Sequence, residues 1–592
     1  MAPPLWPFTA LFLLLLSHVN ASLGWADLQV ETQNGKVEAF YHPTQNQGVY
    51  ILTFLGIPYA KPPLGPLRFR PPQPAQKWQK VLKAHHYSNS CYQLPDTVFP
   101  GFVGSEMWNP NTAVSEDCLY LNVWAPRNRS MPQPQPLLPV MVWIYGGGFT
   151  SGTASLPLYD GRSLSEYGNV VVVSMNYRLG AFGFLSLPNH PTIKGNAGLM
   201  DQQLALRWVS QNIAAFGGDP AKVTIFGESA GSASVGYQLL SPGSRDLFQR
   251  AVMQSGSPNA PWGHLSQTAA WERAQILLQK LKCPLSPVAK VEACLQKTSA
   301  EDIALTQFLV PGASLIHVPF APIVDGKFLP LSVQDMLNSK DLPKKEVLFG
   351  LNKNEGTYFL PYGALGFNNS GNNLISREQF LQGLPIVLPA AAQATREVVI
   401  SHYTDWTDQN NMTKNRDQMG NLFGDYMFVC PLLDFIHKYS QHGARSFLYF
   451  FDHRSSVNPW PEWMGAMHGY EIEFVFGVPL LKKLEYTKSE VNMTKKFIKH
   501  WTNFARTGDP SVPGEAWPSF TAERMEYVTL NYHHPEVKQN LKAPECRLWT
   551  TVVPEIQRIS DKLLECSGGN EQHCSLLLLL LLVMSAIFQP HI

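Results

Sequence analysis

Short runs of consecutive apolar residues recur along the chain, and each has the length of a buried β-strand. These runs cover residues 119–124, 140–145, 170–176, 223–226, 347–351 and 446–451. Between two of them, residues 199–216 carry Leu204, Trp208 and Ile213 at the spacing of a helix that is apolar on one side. Strands that alternate with helices predict an α/β fold, in which helices cover both faces of a large, mixed and mostly parallel sheet.

The length and composition permit one large domain and argue against a nucleic-acid partner. The chain has 592 residues, of which 45% are apolar and 15% are charged, and this is the composition of a globular protein. Its net charge of +1 provides no electrostatic attraction toward nucleic acid. Because we find no internal repeat and no long Pro/Gly/Ser-rich linker, we expect a single catalytic domain over residues 24–565.

The N-terminal residues have the pattern of an export signal. An apolar run at residues 5–16 is followed by small residues, which predicts a secretory signal peptide over residues 1–23. A buried N-terminal helix is the alternative. N-x-S/T sequons agree with export because they are acceptors for N-glycosylation. They begin at Asn128, Asn368, Asn411 and Asn492. We therefore expect an extracellular glycoprotein.

The C-terminal residues have the pattern of a lipid-anchor signal. Residues 576–588 are almost wholly apolar, but this run is shorter than the roughly 20 residues that span a bilayer. Small residues at 567–569 and a polar spacer at 570–575 precede it. This order predicts that residues 566–592 are a tail with a glycolipid-anchor signal and that Ser567 is the attachment site. A short apolar tail without an anchor is the alternative.

The most informative motif is G-x-S-x-G at residues 227–231, directly after a predicted strand. Glycines two positions before and after Ser229 permit a sharp strand-to-helix turn that exposes a nucleophilic hydroxyl. The N-terminus of the helix that follows favours a developing oxyanion. We expect Ser229 to be a nucleophile. An ordinary Gly/Ser-rich loop is the alternative.

A second glycine run, Gly146-Gly147-Gly148, follows the strand predicted at residues 140–145. Backbone N–H groups in such a run can approach a ligand closely because no side chain intervenes. In α/β-hydrolases a glycine-rich loop at this place supplies the second half of the oxyanion hole. A flexible turn without function is the alternative.

Longer segments around these motifs resemble the type-B carboxylesterase/cholinesterase family, over nearly the whole chain. Residues 116–123 (EDCLYLNV) and 226–231 (FGESAG) are similar to the two signatures of that family. Residues 106–110 (EMWNP) and 463–470 (WMGAMHGY) are similar to segments of its cholinesterase members. The resemblance implies the α/β-hydrolase fold and hydrolysis of carboxylic esters, with no cofactor and no metal ion.

The resemblance also implies a catalytic triad. A serine hydroxyl becomes a good nucleophile when an imidazole accepts its proton and a carboxylate orients that imidazole. The chain order in this fold is Ser, then Asp or Glu, then His, and Ser229, Glu355 and His468 follow it. Order alone equally permits Asp325 and His453, and the family motif selects Glu355 and His468. The implied oxyanion hole consists of the N–H groups of the following residues: Gly147, Gly148 and Ala230.

The resemblance also implies a choline-binding site built from aromatic residues. A quaternary ammonium ion has no N–H to donate, so proteins bind it with aromatic faces. The resemblance identifies Trp108 as the choline-binding tryptophan and Tyr358 and Phe359 as further wall residues. Glu228 adds negative potential beside the nucleophile. Core packing is the alternative for any one aromatic residue, since 11% of the chain is aromatic.

The implied acyl pocket departs from that of acetylcholinesterases. Where those enzymes carry two phenylalanines, the alignable segment here has Ile316 and Val318, and Trp262 resembles a tryptophan of the same pocket. The smaller side chains predict that acyl groups longer than acetyl are accepted. Aromatic residues expected at the rim of the cleft are replaced by Leu94, Thr150 and Gln307.

The family's disulfide pattern, carried onto this sequence, uses six of the eight cysteines. The implied pairs are Cys91–Cys118, Cys283–Cys294 and Cys430–Cys546. Cys574 lies in the tail that an anchor signal would lose, so Cys566 remains for a bridge between subunits. We therefore expect a disulfide-linked homodimer.

Three functions are compatible with the sequence. The first is a cholinesterase, which cleaves acetylcholine and also butyrylcholine through an acyl-enzyme on Ser229. The second is a carboxylesterase of broad specificity, and the third is a catalytically inactive adhesion protein of the same fold. The presence of Ser229, Glu355 and His468 favours an enzyme, and Trp108 favours choline esters.

Overall fold

An eleven-stranded sheet runs through the protein. The computed structural model describes residues 28–567, except 45–48, 129–134, 189, 313, 483–484 and 534. In chain order the strands of this sheet are β1 Phe40–Pro43, β2 Val49–Pro58, β3 Tyr120–Asn128, β4 Leu138–Ile144, β5 Val171–Met175, β6 Gly218–Glu228, β7 Arg250–Gln254, β8 Glu346–Asn352, β9 Ser446–Phe451, β10 Glu526–Leu530 and β11 Val537–Gln539.

The sheet is mixed, with a parallel centre and antiparallel margins. The spatial order of its strands is β11-β10-β9-β8-β7-β6-β4-β5-β3-β2-β1. Neighbours from β10 across to β5 are parallel. The strands from β5 to β1 at one margin, and β10 with β11 at the other, pair antiparallel. This arrangement confirms the predicted α/β fold with a mostly parallel sheet.

Helices surround this sheet, as the alternating pattern predicts. They are Val103–Glu106, Arg162–Gly168, Gly180–Phe184, Ala197–Asn212, Ala230–Leu240, Gln267–Lys280, Val288–Lys297, Ala300–Thr306, Val333–Leu337, Arg377–Val387, Gln393–His402, Met412–Gly424, Cys430–Ser440, Ile472–Phe476, Val478–Leu481, Lys488–Thr507, Ala543–Arg547 and Val553–Ser567. Within the described ranges, none of the helices is both long enough and apolar enough to span a bilayer.

Burial explains why the central strands have uninterrupted apolar sequences. Every residue of β5, Val171–Met175, is buried, and so is every residue of β4 after Leu138. Strands that are covered on both faces cannot alternate apolar with polar positions, because neither face meets water.

Short strands pair with one another outside the large sheet. They are Gln29–Thr32, Gly35–Glu38, Leu82–Lys83, Ser90–Cys91 and Val114–Ser115.

Local signals set the ends of the helix Lys488–Thr507. The Thr487 side chain accepts a hydrogen bond from the N–H of Glu490, and the Glu490 side chain accepts one from the N–H of Thr487. This reciprocal capping box satisfies N–H groups that have no partner inside the helix. Gly508 ends the helix with φ of 78°, a left-handed conformation that glycine adopts without strain.

The structure contains the disulfides Cys91–Cys118, Cys283–Cys294 and Cys430–Cys546, the pairs implied by the family resemblance. The first closes the excursion that carries Trp108, and the third ties the C-terminal segment to the helix Cys430–Ser440. The predicted signal peptide and the apolar tail with Cys574 lie outside the described residues.

Replacement of Gly231 by alanine should destabilise the fold. A β carbon at this position would lie 2.0 Å from the carbonyl oxygen of Ile144 at the end of β4, where backbone meets backbone. Overpacking of this kind lowers the free energy of unfolding by about 1–3 kcal/mol. Urea denaturation measures the effect. Gly243→Ala is the matched control, because its β carbon would approach only the flexible end of Gln203, at 3.0 Å. Equal stability of the two variants would show that the contact between Gly231 and Ile144 does not require a glycine.

Candidate active site

Ser229 occupies the sharp turn between β6 and the helix Ala230–Leu240. Its backbone has φ of 57° and ψ of −122°, a strained conformation for a residue with a side chain. Its N–H donates to the carbonyl of Gln254 at the end of β7, over 2.9 Å. Gly227 permits the turn, since a β carbon there would lie 2.5 Å from the Ile144 carbonyl oxygen. The G-x-S-x-G pattern therefore reflects a close contact between β6, the helix and β4.

The glycine run after β4 passes directly beside the nucleophile. A β carbon on Gly146 would lie 2.8 Å from Oε2 of Glu228 and 2.9 Å from Cβ of Ser229. Gly147 has φ of 111°, and its carbonyl accepts hydrogen bonds from the N–H groups of two later residues of the loop. A residue with a side chain would not fit here, because the loop backbone lies directly against the side chain of Ser229.

The residues predicted for the acyl pocket lie beside the same loop. A β carbon on Gly148 would lie 3.4 Å from Cγ2 of Val318 and 3.9 Å from Cγ2 of Ile316. The Trp262 ring lies 6.1 Å from the ring of Phe149, the next residue of the loop. The structure thus brings Ile316, Val318 and Trp262 next to the glycine run.

His468 is fixed on one side by Glu355. Nδ1 of the imidazole lies 2.7 Å from Oε2 of Glu355, and both side chains are buried. The other carboxylate oxygen of Glu355 accepts hydrogen bonds from the Ser255 hydroxyl and from the N–H of Asn352, each over 2.6 Å. These donors hold the carboxylate in position, and the carboxylate in turn fixes the ring orientation of His468.

On its other side, His468 faces Glu228. Nε2 lies 3.1 Å from Oε1 of Glu228, in the same corner as Ser229. Within the described part of the chain Nε2 makes no hydrogen bond, so the hydrogen bond expected between His468 and Ser229 is not formed in this structure. Catalytic hydrogen bonds of free enzymes often tighten only when substrate binds.

The protonation of the two groups is coupled. Burial lowers the pKa of His468, but the negative charges of Glu228 and Glu355 outweigh burial and raise the pKa above its ordinary value. Burial also raises the pKa of Glu228, and His468 opposes that shift. The attraction between the two groups therefore only partly offsets the cost of burial, and the pKa of Glu228 stays above its ordinary value.

Trp108 lies near the same oxygen of Glu228, Oε1, beside Gly469. A β carbon on Gly469 would lie 3.2 Å from Cη2 of Trp108 and 3.5 Å from Oε1 of Glu228. The Tyr470 ring and the indole are arranged edge to face, with 6.2 Å between the ring centres. The indole and the Glu228 carboxylate therefore both lie next to Gly469, the residue after His468.

Tyr358 and Phe359, the other predicted wall residues, have different neighbours. The Phe359 ring lies 5.2 Å from the imidazole of His468. The Tyr358 hydroxyl lies 3.3 Å from the hydroxyl of Tyr362, which donates to Asp96 over 2.7 Å. Phe359 is thus next to His468, whereas Tyr358 belongs to a hydrogen-bonded group that includes Asp96.

Sequence reasoning missed Phe428, whose ring lies 4.3 Å from that of His468. Its ring also stacks on Phe359 at 5.2 Å and lies 5.7 Å from Trp262. Phe428 is part of a π-helical turn, Asp425–Val429, which no apolar periodicity or short motif indicates. π-helical turns are frequent at functional sites because they redirect a side chain out of an α-helix.

A second missed residue is Glu471, which is completely buried. Its carboxylate accepts hydrogen bonds from Gln254 over 2.9 Å and from Asn352 over 2.6 Å. Burial raises the pKa of Glu471, and these two amide donors counteract that shift. Gln254 supports the backbone of Ser229 and Asn352 supports Glu355, so Glu471 connects both supports. Its position three residues after His468 is the one sequence signal that could have found it.

The alternative triad residues have other structural partners. Asp325 accepts hydrogen bonds from the N–H groups of Lys327 and Leu329 within a turn. Nε2 of His453 lies 3.0 Å from Oε1 of Glu490, the capping residue of the helix Lys488–Thr507. The structure therefore brings Glu355 and His468 together and leaves Asp325 and His453 in local networks.

Gln307, which replaces an aromatic residue expected at the rim of the cleft, turns its side chain inward. This side chain is buried, and its Oε1 accepts a hydrogen bond from the N–H of Ala181 over 2.9 Å. A β carbon on Gly180 would lie 2.2 Å from the same oxygen. Gln307 supports the start of the helix Gly180–Phe184, because its amide satisfies an N–H that has no partner within the helix.

The mixed sheet, the strained serine between β6 and its helix, and the glycine loop after β4 define an α/β-hydrolase with a serine nucleophile turn. A model of the Carboxylesterase family matches residues 26–549. The chain therefore belongs to this family, as the resemblance implies, and is a carboxylic ester hydrolase.

Similar proteins include two acetylcholinesterases and a cholinesterase. The acetylcholinesterase of Bungarus fasciatus is 45% identical over 569 residues, which are 95% of this chain and 93% of that protein. The cholinesterase of Mus musculus is 46% identical over 553 residues, or 93% of this chain and 90% of that protein. The acetylcholinesterase of Electrophorus electricus is 44% identical over 593 aligned residues, with 94% and 93% coverage.

Proposed function

We propose that this carboxylic ester hydrolase is a cholinesterase that transfers the acyl group of choline esters to Ser229 and then to water. One observation carries the proposal: the imidazole of His468 lies between Glu355 and Glu228, next to the nucleophile turn and to the Trp108 indole. The similarity to acetylcholinesterases and a cholinesterase supports the same conclusion.

In the proposed mechanism, His468 accepts the proton of Ser229 as the hydroxyl attacks the ester carbonyl. Glu355 holds the imidazole through Nδ1 and stabilises the imidazolium. His468 then donates the proton from Nε2 to the leaving choline oxygen. Water attacks the acyl-enzyme by the same route, with His468 acting first as base and then as acid.

The oxyanion is held by backbone N–H groups. We assign this role to Gly147 and Gly148 in the loop beside Ser229, and to Ala230 at the first position of its helix. Donors that are already oriented cost no reorganisation during the reaction, and loss of one such donor lowers kcat by about 10²–10³-fold. The packing of Gly146 against Ser229 supports this assignment.

The cationic end of the substrate is assigned to Trp108 and Glu228. The attraction between an indole face and a quaternary ammonium ion is about 0.5–1 kcal/mol at an exposed site and about 2 kcal/mol or more at a desolvated one. The adjacent carboxylate adds negative potential. Phe359 and Tyr358 complete the aromatic wall, and Ile316, Val318 and Trp262 form the acyl pocket. A carboxylesterase of broad specificity would use the same triad, but its activity would not depend on the Trp108 indole.

We further propose that the protein is extracellular, as an N-glycosylated homodimer with a lipid anchor. The disulfides support an oxidising compartment. Asn368 and Asn492 are exposed, as glycan acceptors must be, and Asn128 and Asn411 are partly exposed. The final helix, Val553–Ser567, contains Cys566 and Ser567 at its end, where an intersubunit bridge and an anchor would be adjacent. We assign residues 1–23 to the signal peptide, 24–565 to the catalytic domain and 566–592 to the tail.

Ser229→Ala should abolish hydrolysis of acetylthiocholine. Loss of the nucleophile lowers kcat by at least about a thousandfold, since only binding and the oxyanion hole remain. A thiol-release assay on purified protein measures this change. Thermal denaturation of both proteins controls for folding. Turnover by the wild-type chain no faster than by the variant would contradict the proposed function.

Trp108→Ala should reduce kcat/KM for acetylthiocholine about tenfold or more, because the aromatic partner of the ammonium ion is lost. Hydrolysis of phenyl acetate, a neutral ester, should change much less. Trp406→Ala is the matched control, since Trp406 is 62% exposed on the surface. Equal losses for both esters would favour the carboxylesterase of broad specificity.

Ile316→Phe and Val318→Phe should shift preference from butyrylthiocholine toward acetylthiocholine. The added rings fill space next to Gly148, and a size change in an apolar pocket alters discrimination about tenfold or more. The ratio of kcat/KM for the two substrates measures the shift. An unchanged ratio would show that these residues do not limit acyl length.

Glu228→Gln should move the acidic limb of the kcat/KM profile for phenyl acetate to lower pH. The limb reports the pKa of His468, which must be neutral to act as base, and Glu228 raises that pKa. Removal of this negative charge lowers the pKa, so activity appears at lower pH. Glu473→Gln is the control, because Glu473 is a nearby buried carboxyl that accepts a hydrogen bond from Tyr486 instead. A limb that stays in place or moves upward in Glu228→Gln would contradict the coupling.

A further inference from the structure

The π-helical turn Asp425–Val429, which we call the π-turn, lies next to His468. Phe428 of the π-turn lies against the imidazole of His468 and near Trp262. The indole N–H of Trp262 donates to the carbonyl of Met427 over 2.9 Å. The path of this turn therefore sets the position of two aromatic rings around the imidazole and the proposed acyl pocket.

Gly424, the residue before the π-turn, packs against the segment that carries Glu355. A β carbon on Gly424 would lie 2.7 Å from the backbone nitrogen of Gly356 and 3.3 Å from Cβ of Glu355. Conversely, a β carbon on Gly356 would lie 2.5 Å from the nitrogen of Gly424. Since backbone touches backbone here, a shift of the π-turn would displace the segment that carries Glu355.

Asp425 of the π-turn is bound by a group of three residues. We call this group the clamp, and it consists of Tyr403, Lys542 and Trp549. The buried carboxylate of Asp425 accepts a hydrogen bond from the Tyr403 hydroxyl over 3.0 Å and lies 3.3 Å from Nζ of Lys542. Trp549 donates to the Tyr403 hydroxyl over 2.9 Å. Its ring also packs on Tyr426, with 4.6 Å between centres.

The clamp connects the π-turn to the segment that precedes the last described helix, Val553–Ser567. Lys542 and Trp549 belong to the segment that leads into the last helix, Val553–Ser567, and the disulfide Cys430–Cys546 joins the same segment to the residue after the π-turn. A buried carboxylate is costly without partners, so loss of one clamp residue should let the turn move toward an arrangement that satisfies Asp425.

We propose that Asp425 is a positioning residue that, held by the clamp, fixes Phe428 against His468 and the acyl pocket, so that the C-terminal segment tunes the choice of acyl group. The inference rests on the proposed acyl pocket. Phe428 acts on the substrate side, and the clamp acts through Phe428. Asp425 touches neither the imidazole nor Ser229, and its effect reaches the reaction only through the turn.

Hydrolysis of phenyl acetate and phenyl butyrate by purified variants tests this inference. Both esters are neutral, so the result is independent of choline recognition by Trp108. Phe428→Val should raise the kcat/KM ratio of butyrate to acetate, because the pocket widens. Lys542→Met and Tyr403→Phe should raise the same ratio by about two- to fivefold, a usual size for indirect coupling. Lys542→Arg should retain the wild-type ratio.

A double-mutant cycle separates positioning from general destabilisation. If Lys542 acts through Phe428, the double variant Phe428→Val/Lys542→Met should have the ratio of Phe428→Val alone. Lys438→Met is the matched control, because Lys438 pairs with Asp434 at 2.7 Å on the neighbouring helix and should leave the ratio unchanged. Asp425→Asn should behave as Lys542→Met does. Where it fails to fold, the Lys542 and Tyr403 variants decide the question.

Two results would overturn the inference. One is a wild-type ratio in both Lys542→Met and Tyr403→Phe, which would show that the clamp has no influence on the pocket. The other is a double variant whose ratio is the product of the two single effects, which would show that Lys542 and Phe428 act independently. A chain that hydrolyses phenyl esters but shows no preference for choline esters would contradict the proposed function alone.

Discussion

The structure depends on one buried imidazole held between two carboxylates. His468 is 7% exposed, while Glu228 and Glu355 are 4% and 1% exposed. Charged groups at such depth are costly unless every one is paired and hydrogen-bonded. Ser255 and Asn352 donate hydrogen bonds to the Glu355 carboxylate. Glu228 has the imidazole of His468 as its nearby partner. Although burial lowers the pKa of His468, the two carboxylates raise it above its ordinary value, and this favours the imidazolium that the proposed mechanism requires.

The sheet brings these groups together because the carboxyl ends of its parallel strands share one edge. β6 ends at Glu228 before Ser229, β7 ends at Gln254, and β8 ends at Asn352 before Glu355. In open α/β sheets this edge is where ligands bind. Glu471 ties the ends of β7 and β8 together through two amide side chains. Ser229 and Glu355 therefore follow strand ends that hydrogen bonds join to one another.

The sequence predicted those features that strong local constraints encode. Buried parallel strands must be apolar on both faces, so β4 and β5 were evident, and the turn at Ser229 requires glycines that form a recognisable motif. β7 was missed because its five residues begin with Arg250 and end with Gln254, and β11 because all of its residues are exposed. Phe428 could not be predicted, since a π-helical turn depends on tertiary contacts rather than on periodicity. The inward direction of Gln307 could not be predicted, because an aligned position does not reveal that a polar side chain accepts a hydrogen bond from a backbone N–H.

The most direct test of the proposed triad is the rate at which Ser229 is phosphorylated by diisopropyl fluorophosphate, with the labelled peptide identified by mass spectrometry. We expect one phosphoryl group per chain, located on Ser229. The rate should fall by orders of magnitude in His468→Ala and Glu355→Gln variants that retain the wild-type melting temperature. Label on another residue, or equal rates in folded variants without the imidazole or its carboxylate, would contradict the claim that His468, held by Glu355, activates Ser229.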